Sequence, residues 1–195
     1  MAGKIGQKVF SEKISVTDDW THSATVHLPF DIEGSLRKTV SLINRGVAEG
    51  VVHDLDSAGK AGVESTGHGY PDYSWGMIPL NLSMANGSKP VSRMIAETED
   101  GLLVTRLHYV NPVNRREGIF TALTKDGFFR IRDGKVVGAA KNMRFTAGVF
   151  DIFNNVLDVS ADREKTRWWY PLTCYYLPAI KIGDFPLNLS ASSGI

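Results

Sequence analysis

Between residues 101 and 159, apolar runs alternate with two Asp-Gly pairs, Asp126-Gly127 and Asp133-Gly134. Both residues of such a pair tolerate positive φ, which suits a tight hairpin turn. The pattern therefore predicts an antiparallel meander with arms at 119–124, 128–132 and 135–137. A strand over 102–110 precedes it and stops at Asn111-Pro112. In the middle arm Phe129 and Ile131 face one way, while Phe128, Arg130 and Arg132 face the other. Phe145 closes a further strand. The period then turns helical: Val149, Ile152, Phe153 and Val156 share one face, so a short amphipathic helix should pack on the sheet.

The flanks read in the same way. Val9-Phe10 and 14–16 predict short strands, Asp18-Asp19 a turn or loop, and 21–34 a long connection. Residues 39–43 and 47–53 form the arms of a hairpin, with Gly46 in its turn. Residues 55–62 predict a single helical turn, because two glycines oppose a longer helix. The stretch 64–76 is a loop by composition, and 78–84 is a strand that Pro79 places at an edge or a start. A helix over 88–97 takes Ser88 as its N-cap. A charged connection over 161–167 leads to an aromatic cluster and a strand at 179–182. The sum is a mainly β chain, a β-rich α+β fold of antiparallel hairpins with one or two short packed helices. A single domain over 1–195 is expected, with an extended lead-in at 1–35 and a frayed tail at 186–195.

Composition narrows the class. The chain has 195 residues, a formal charge of +1 and one cysteine. Near-neutral charge gives no general pull toward nucleic acid or an anionic membrane. A lone cysteine excludes an internal disulfide and fits a reducing cytoplasm. No apolar run approaches the roughly 20 residues needed to span a bilayer.

Candidate chemistry is sparse. The sequence carries no His-Glu-x-x-His helix motif, no Cys-x-x-Cys pair and no phosphate-binding glycine loop. Among the five histidines, His53 with Asp54 and Asp56 could hold a metal, but acids after a hairpin more often bond backbone. His68, between two glycines, reads as a solvent-exposed loop histidine. Cys174 reads as a small buried hydrophobe. Arginines at 106, 115, 116, 130, 132 and 144 make the centre basic, and read as the outer face of a sheet. No residue set suggests a catalytic group.

Several short patches, in order, carry a family resemblance. They are Thr17-Asp18-Asp19, Pro29-Phe30-Asp31-x-Glu33-Gly34, Leu42-Ile43-Asn44-Arg45-Gly46-Val47, Asp54-Leu55-Asp56-Ser57-Ala58 and Ser65-Thr66-Gly67. Further along come Gly101-Leu102-Leu103-Val104-Thr105, Gly127, Asp133-Gly134-Lys135, Val149-Phe150-Asp151-Ile152 and Leu177-Pro178-Ala179-Ile180-Lys181-Ile182. Their order and spacing resemble the C-terminal domain of the TldD/PmbA metallopeptidase family, also described as modulators of DNA gyrase. The resemblance implies a barrel-like sheet that walls a substrate channel, proteolysis of unfolded peptides, and a homo- or hetero-dimer with a TldD/PmbA-type subunit.

The resemblance also implies zinc on a His-Glu-x-x-x-His helix outside this chain, on a preceding part or a partner subunit, with no cofactor held by this chain alone. In catalytic members a cysteine of this domain completes the zinc site. Cys174 is the only residue here to which that metal role transfers, although it stands nearer Pro178 than the ligand should. A zinc-free, PmbA-like subunit is the other reading. The loop residues Ser65, Thr66, Gly67, His68, Gly69 and Tyr70 are the expected peptide-binding positions. A non-enzymatic β module is the alternative function. It would bind a partner through Tyr70, Tyr73, Trp75 and the cluster Trp168-Trp169-Tyr170.

Overall fold

The computed structural model describes residues 3–70, 77–167 and 172–185. Strand accounts for 43% and helix for 11% of the described residues, which places the chain in the mainly β class. Its backbone divides into two compact units, one of residues 1–87 and 161–179, the other of 88–160 and 180–195.

In the first unit, β1 (Val16–Asp18) pairs antiparallel with β2 (Val40–Asn44), which turns into β3 (Val47–Ala48). The turn is Arg45-Gly46, both at positive φ (45° and 80°). Gly46 has no room for a side chain, since a Cβ there would lie 2.2 Å from the Phe10 carbonyl oxygen. The return arm is shorter than the sequence suggests. α1 (Leu55–Ala61) starts at Asp54, whose carboxylate accepts from Ser57 N while the Ser57 hydroxyl accepts from Asp54 N. It stops at Gly62 in the left-handed conformation. β4 (Leu82–Met84) pairs with the other side of β1.

The second unit opens with α2 (Val91–Ala96). Pro90, not Ser88, occupies its N-cap, with no side-chain cap bond. β5 (Asp100–Asn114) runs through Asn111-Pro112 instead of stopping there, at the cost of register breaks around 104–106, 108–111 and 112–114. β6 (Ile119–Arg132) joins two of the expected meander arms into one strand. Asp126-Gly127 is a bulge in that strand and not a turn. Val104 pairs with Phe128 and Arg106 with Lys125, so the two bulge residues face Thr105 alone. The Thr105 hydroxyl bonds the carbonyls of both Asp126 and Gly127. Phe128 and Ile131 are the buried pair, against the expected alternation, and the register with β7 shifts between Arg130 and Ile131.

Asp133-Gly134 does form the expected turn, at φ 47° and 74°, into β7 (Lys135–Ala139). β8 (Arg144–Gly148) pairs with β6, and α3 (Val149–Asn154) ends before Val156. Ile152 of α3 packs against the buried cluster of Ala122, Phe145 and Ala147.

The stretch expected as a charged connection is instead part of β9 (Val156–Thr166), followed by β10 (Tyr175–Ile182). Residues 161–166 and 175–179 of these strands belong to the first unit and the remainder to the second. The strand order is β3-β2-β1-β4-β10-β9 in one sheet and β5-β6-β7 with β8 beside β6 in the other. Neither sheet closes among the described residues, so the expected barrel is not confirmed. No helix is long and apolar enough to cross a membrane among the described residues.

Candidate functional site

The sequence places candidate binding residues at 65–70, and these are held by a buried polar network in the first unit. Its centre is Asp18, the last residue of β1. Alternation from Ile14 through Val16 points Asp18 at the core, and both Ile14 and Asp18 are fully buried. The expectation of a turn or loop at Asp18-Asp19 thus fails for Asp18. Its Oδ2 accepts from Asn81 N at 2.9 Å, and its Oδ1 lies 3.2 Å from His68 Nε2.

His68 is likewise 0% exposed, which corrects the reading of a solvent-exposed loop histidine. Its Nδ1 stands 2.9 Å from Thr66 Oγ1. That hydroxyl also accepts from His53 N at 2.6 Å and donates to His53 O at 3.0 Å. The His53 carbonyl receives Ser65 Oγ and the backbone N–H groups of Thr66 and His68 as well. The Thr66 hydroxyl thus ties the His68 ring to the His53 backbone.

Asp18, His68 and Thr66 form a carboxylate–imidazole–hydroxyl row, the order used in nucleophilic catalysis. Here the row is structural. The carboxylate and imidazole are sealed from solvent, and the hydroxyl is pinned by the His53 backbone.

Asp31 anchors the far end of the loop. Its Oδ2 accepts from Gly69 N at 2.7 Å, and its Oδ1 takes Glu33 N and Ser35 N. The loop needs its glycines. Gly67 lies at φ 70°, and a Cβ there would meet Leu36 O at 2.5 Å; one on Gly69 would meet the Glu33 side chain at 2.8 Å. Gly67, His68, Gly69 and Tyr70 are therefore buried, and Ser65 and Thr66 are half-buried. The buried state of Tyr70 fits the core better than an exposed partner contact. Tyr73, Trp75, Trp168, Trp169 and Tyr170 lie outside the described residues.

Arg37 is 6% exposed, and its Nε and Nη1 have no hydrogen-bond partner among the described residues. Burial lowers its pKa, while Asp18 and Asp31 oppose that shift. Tyr175, the first residue of β10, is pushed up to about 12 by burial, with Asp18 and Tyr70 adding to it.

Cys174 is fully buried. Its N–H donates to Leu80 O at 2.7 Å and its Sγ to Ala24 O at 3.0 Å. Asp54 works as a helix cap, the backbone role weighed against metal binding. No group of three or more His, Cys, Asp or Glu that could hold a metal occurs among the described residues. A complete zinc site therefore does not fit on those residues. Sequence reasoning missed Asp18, Arg37, Asp31 and Asn81 as one network. The available signal was the inward phase of Asp18 in the Ile14-Val16-Asp18 alternation.

Residues 1–188 match the family model described as the PmbA/TldA metallopeptidase C-terminal domain. The chain is 25% identical over 166 residues to a metalloprotease of Methanothermobacter thermautotrophicus, covering 83% of this chain and 36% of that protein. It is also 25% identical over 167 residues to a metalloprotease of Methanocaldococcus jannaschii, covering 83% and 36%. Among solved structures, TldE from Thermococcus kodakarensis superposes with a TM-score of 0.81 at 29% identity, over 93% of this chain and 41% of that one. A putative modulator of a DNA gyrase from Thermotoga maritima shares the fold, with a TM-score of 0.80 at 22% identity, over 92% and 40%. The chain thus spans about two fifths or less of the length of these relatives.

Proposed function

This chain belongs to the PmbA/TldA metallopeptidase C-terminal domain family, and from that premise we propose that it acts in the proteolysis of unfolded peptides as the channel-wall domain of a zinc metallopeptidase system. The observation that carries the reading is the mounting of the loop at 65–70. Buried carboxylates stand at both ends: Asp18 lies 3.2 Å from His68, and Asp31 accepts from Gly69 N. A loop fixed in this way presents Ser65 and Thr66 without a large ordering cost on binding. The peptide lies along that loop. The metal and its histidines lie off this chain, on a further segment or a partner subunit of the same family, in a cytoplasmic dimer. Cys174 is the one thiol this chain can offer a metal, and it would first give up its bond to Ala24 O.

The test has two arms. The chain alone, supplied with zinc, is expected to leave unfolded peptides intact; chelator-sensitive hydrolysis by it would overturn the assignment of the chemistry elsewhere. A photo-crosslinking residue in place of Ser65, in the assembled peptidase, is expected to capture substrate peptide. Failure to capture would remove the loop from the channel.

A further inference from the structure

Charge is distributed very unevenly along this nearly neutral chain. Residues 100–148 hold nine Lys or Arg against four Asp or Glu, a surplus of five, while the whole chain carries +1. Those residues make up the open sheet of the second unit, and its register brings like charges together. Arg106 of β5 stands directly opposite Lys125 of β6, and Arg132 opposite Lys135 across the β6–β7 turn. In the next rung on the same strands, His108 and Arg144 flank Leu123 from either side.

Like charges facing each other across strands destabilise a sheet. Arg106 is partly relieved by Asp126 and Arg130 by Asp100. Lys125, Arg132, Lys135 and Lys141 form no ion pair with any described residue. Among these cations lie exposed apolar side chains: Val104, Leu107, Tyr109, Val110 and Val113 on β5, and Val136 and Val137 on β7.

β5 is also an end strand. Its fifteen residues pair with β6 on one side, and no described strand pairs with the other. An unpaired edge offers main-chain N–H and C=O groups that another polypeptide can use by strand addition. Nucleic acid could answer the charge but has no groups to match that edge ladder.

We propose that the edge and cationic face of β5 and β6 form a docking surface for an extended acidic polypeptide, with acidic residues on the Arg106, Lys125 and Arg144 side and apolar ones among the valines. The proposal does not depend on the loop at 65–70 and concerns a different unit of the chain.

A fluorescent peptide of alternating Glu and Val is the probe, read by anisotropy with this chain at low and at high salt. Binding is expected, weakening as salt rises. It is expected to drop at least about tenfold in an Arg106→Glu/Lys125→Glu double variant and in Arg144→Glu. Lys13→Glu, in the first unit, is expected to bind as the parent does. Circular dichroism melting checks that each variant is folded, and the two reversals on different strands guard against one of them failing. The proposal is overturned by absence of binding, by equal binding of a Lys and Val peptide, by equal or tighter binding of single-stranded oligo(dT), or by charge reversals without effect.

Discussion

Nε2 of His68 lies 3.2 Å from Oδ1 of Asp18, with both side chains fully buried. A buried carboxylate that also accepts from Asn81 N, and balances the nearby Arg37 charge, costs much to remove. Asp18→Ala strands the Asn81 N–H, removes the carboxylate beside His68 and leaves Arg37 with less compensation. It should lower stability by about 3–5 kcal/mol. Arg37→Met should also destabilise, because Asp18 and Asp31 then lose their nearby cation. The double variant should cost less than the two singles together, since the lost interaction is shared. Urea unfolding of all three measures this.

Gly34 and Gly46 share nearly the same backbone, at φ 79° and 80°. A Cβ on Gly34 meets open space, whereas one on Gly46 meets the Phe10 carbonyl oxygen at 2.2 Å. Gly34→Ala should therefore cost only the conformational penalty, about 1 kcal/mol. Gly46→Ala adds displacement of the hairpin turn and should cost clearly more. The difference in melting temperature between the variants reads the steric part alone.

Hydrogen bonds from Ser57, side-chain and then backbone, hold the Asp54 carboxyl below its ordinary value of 3.8. A depressed carboxylate contributes stability above its unfolded pKa and loses it as pH falls through the folded one. Asp54→Ala should thus cost about 1 kcal/mol at neutral pH. The gap between parent and variant should close as pH falls below 3.8. Chemical unfolding at neutral and acid pH checks the closure.

Tyr175 titrates near 12 for the burial reason given above, against an ordinary value of 10.0. Its neutral form is favoured in the fold, so its contribution is complete below 10 and is lost as pH rises to about 12. Tyr175→Phe should remove that alkaline loss. Ultraviolet titration should show one fewer late-ionising phenol in the variant than in the parent.

Local chemistry made some elements readable. Asp54 before a short apolar-spaced run gives α1, and Asn44-Arg45-Gly46 between β-branched runs gives the β2–β3 turn. Others were decided at a distance. Ser88 has the right side chain for a helix cap, yet Pro90 takes the position. The charged 161–167 stretch is strand up to Thr166, because β10 lies beside it in the sheet.

The sequence alone determined the mainly β class, the family, the Asp133-Gly134 turn and the loop at 65–70, because these depend on neighbouring residues and their allowed φ. The tertiary structure decided between two identical dipeptides. Asp133-Gly134 reverses the chain, while Asp126-Gly127 is held in line by Thr105 across the sheet. It also decided the fate of Asp18 and His68. A charged residue beside a turn-like pair reads as exposed until a partner fifty residues away in the chain is placed against it. Burial of a charge is set by what meets it in space, and a one-dimensional pattern does not carry that information.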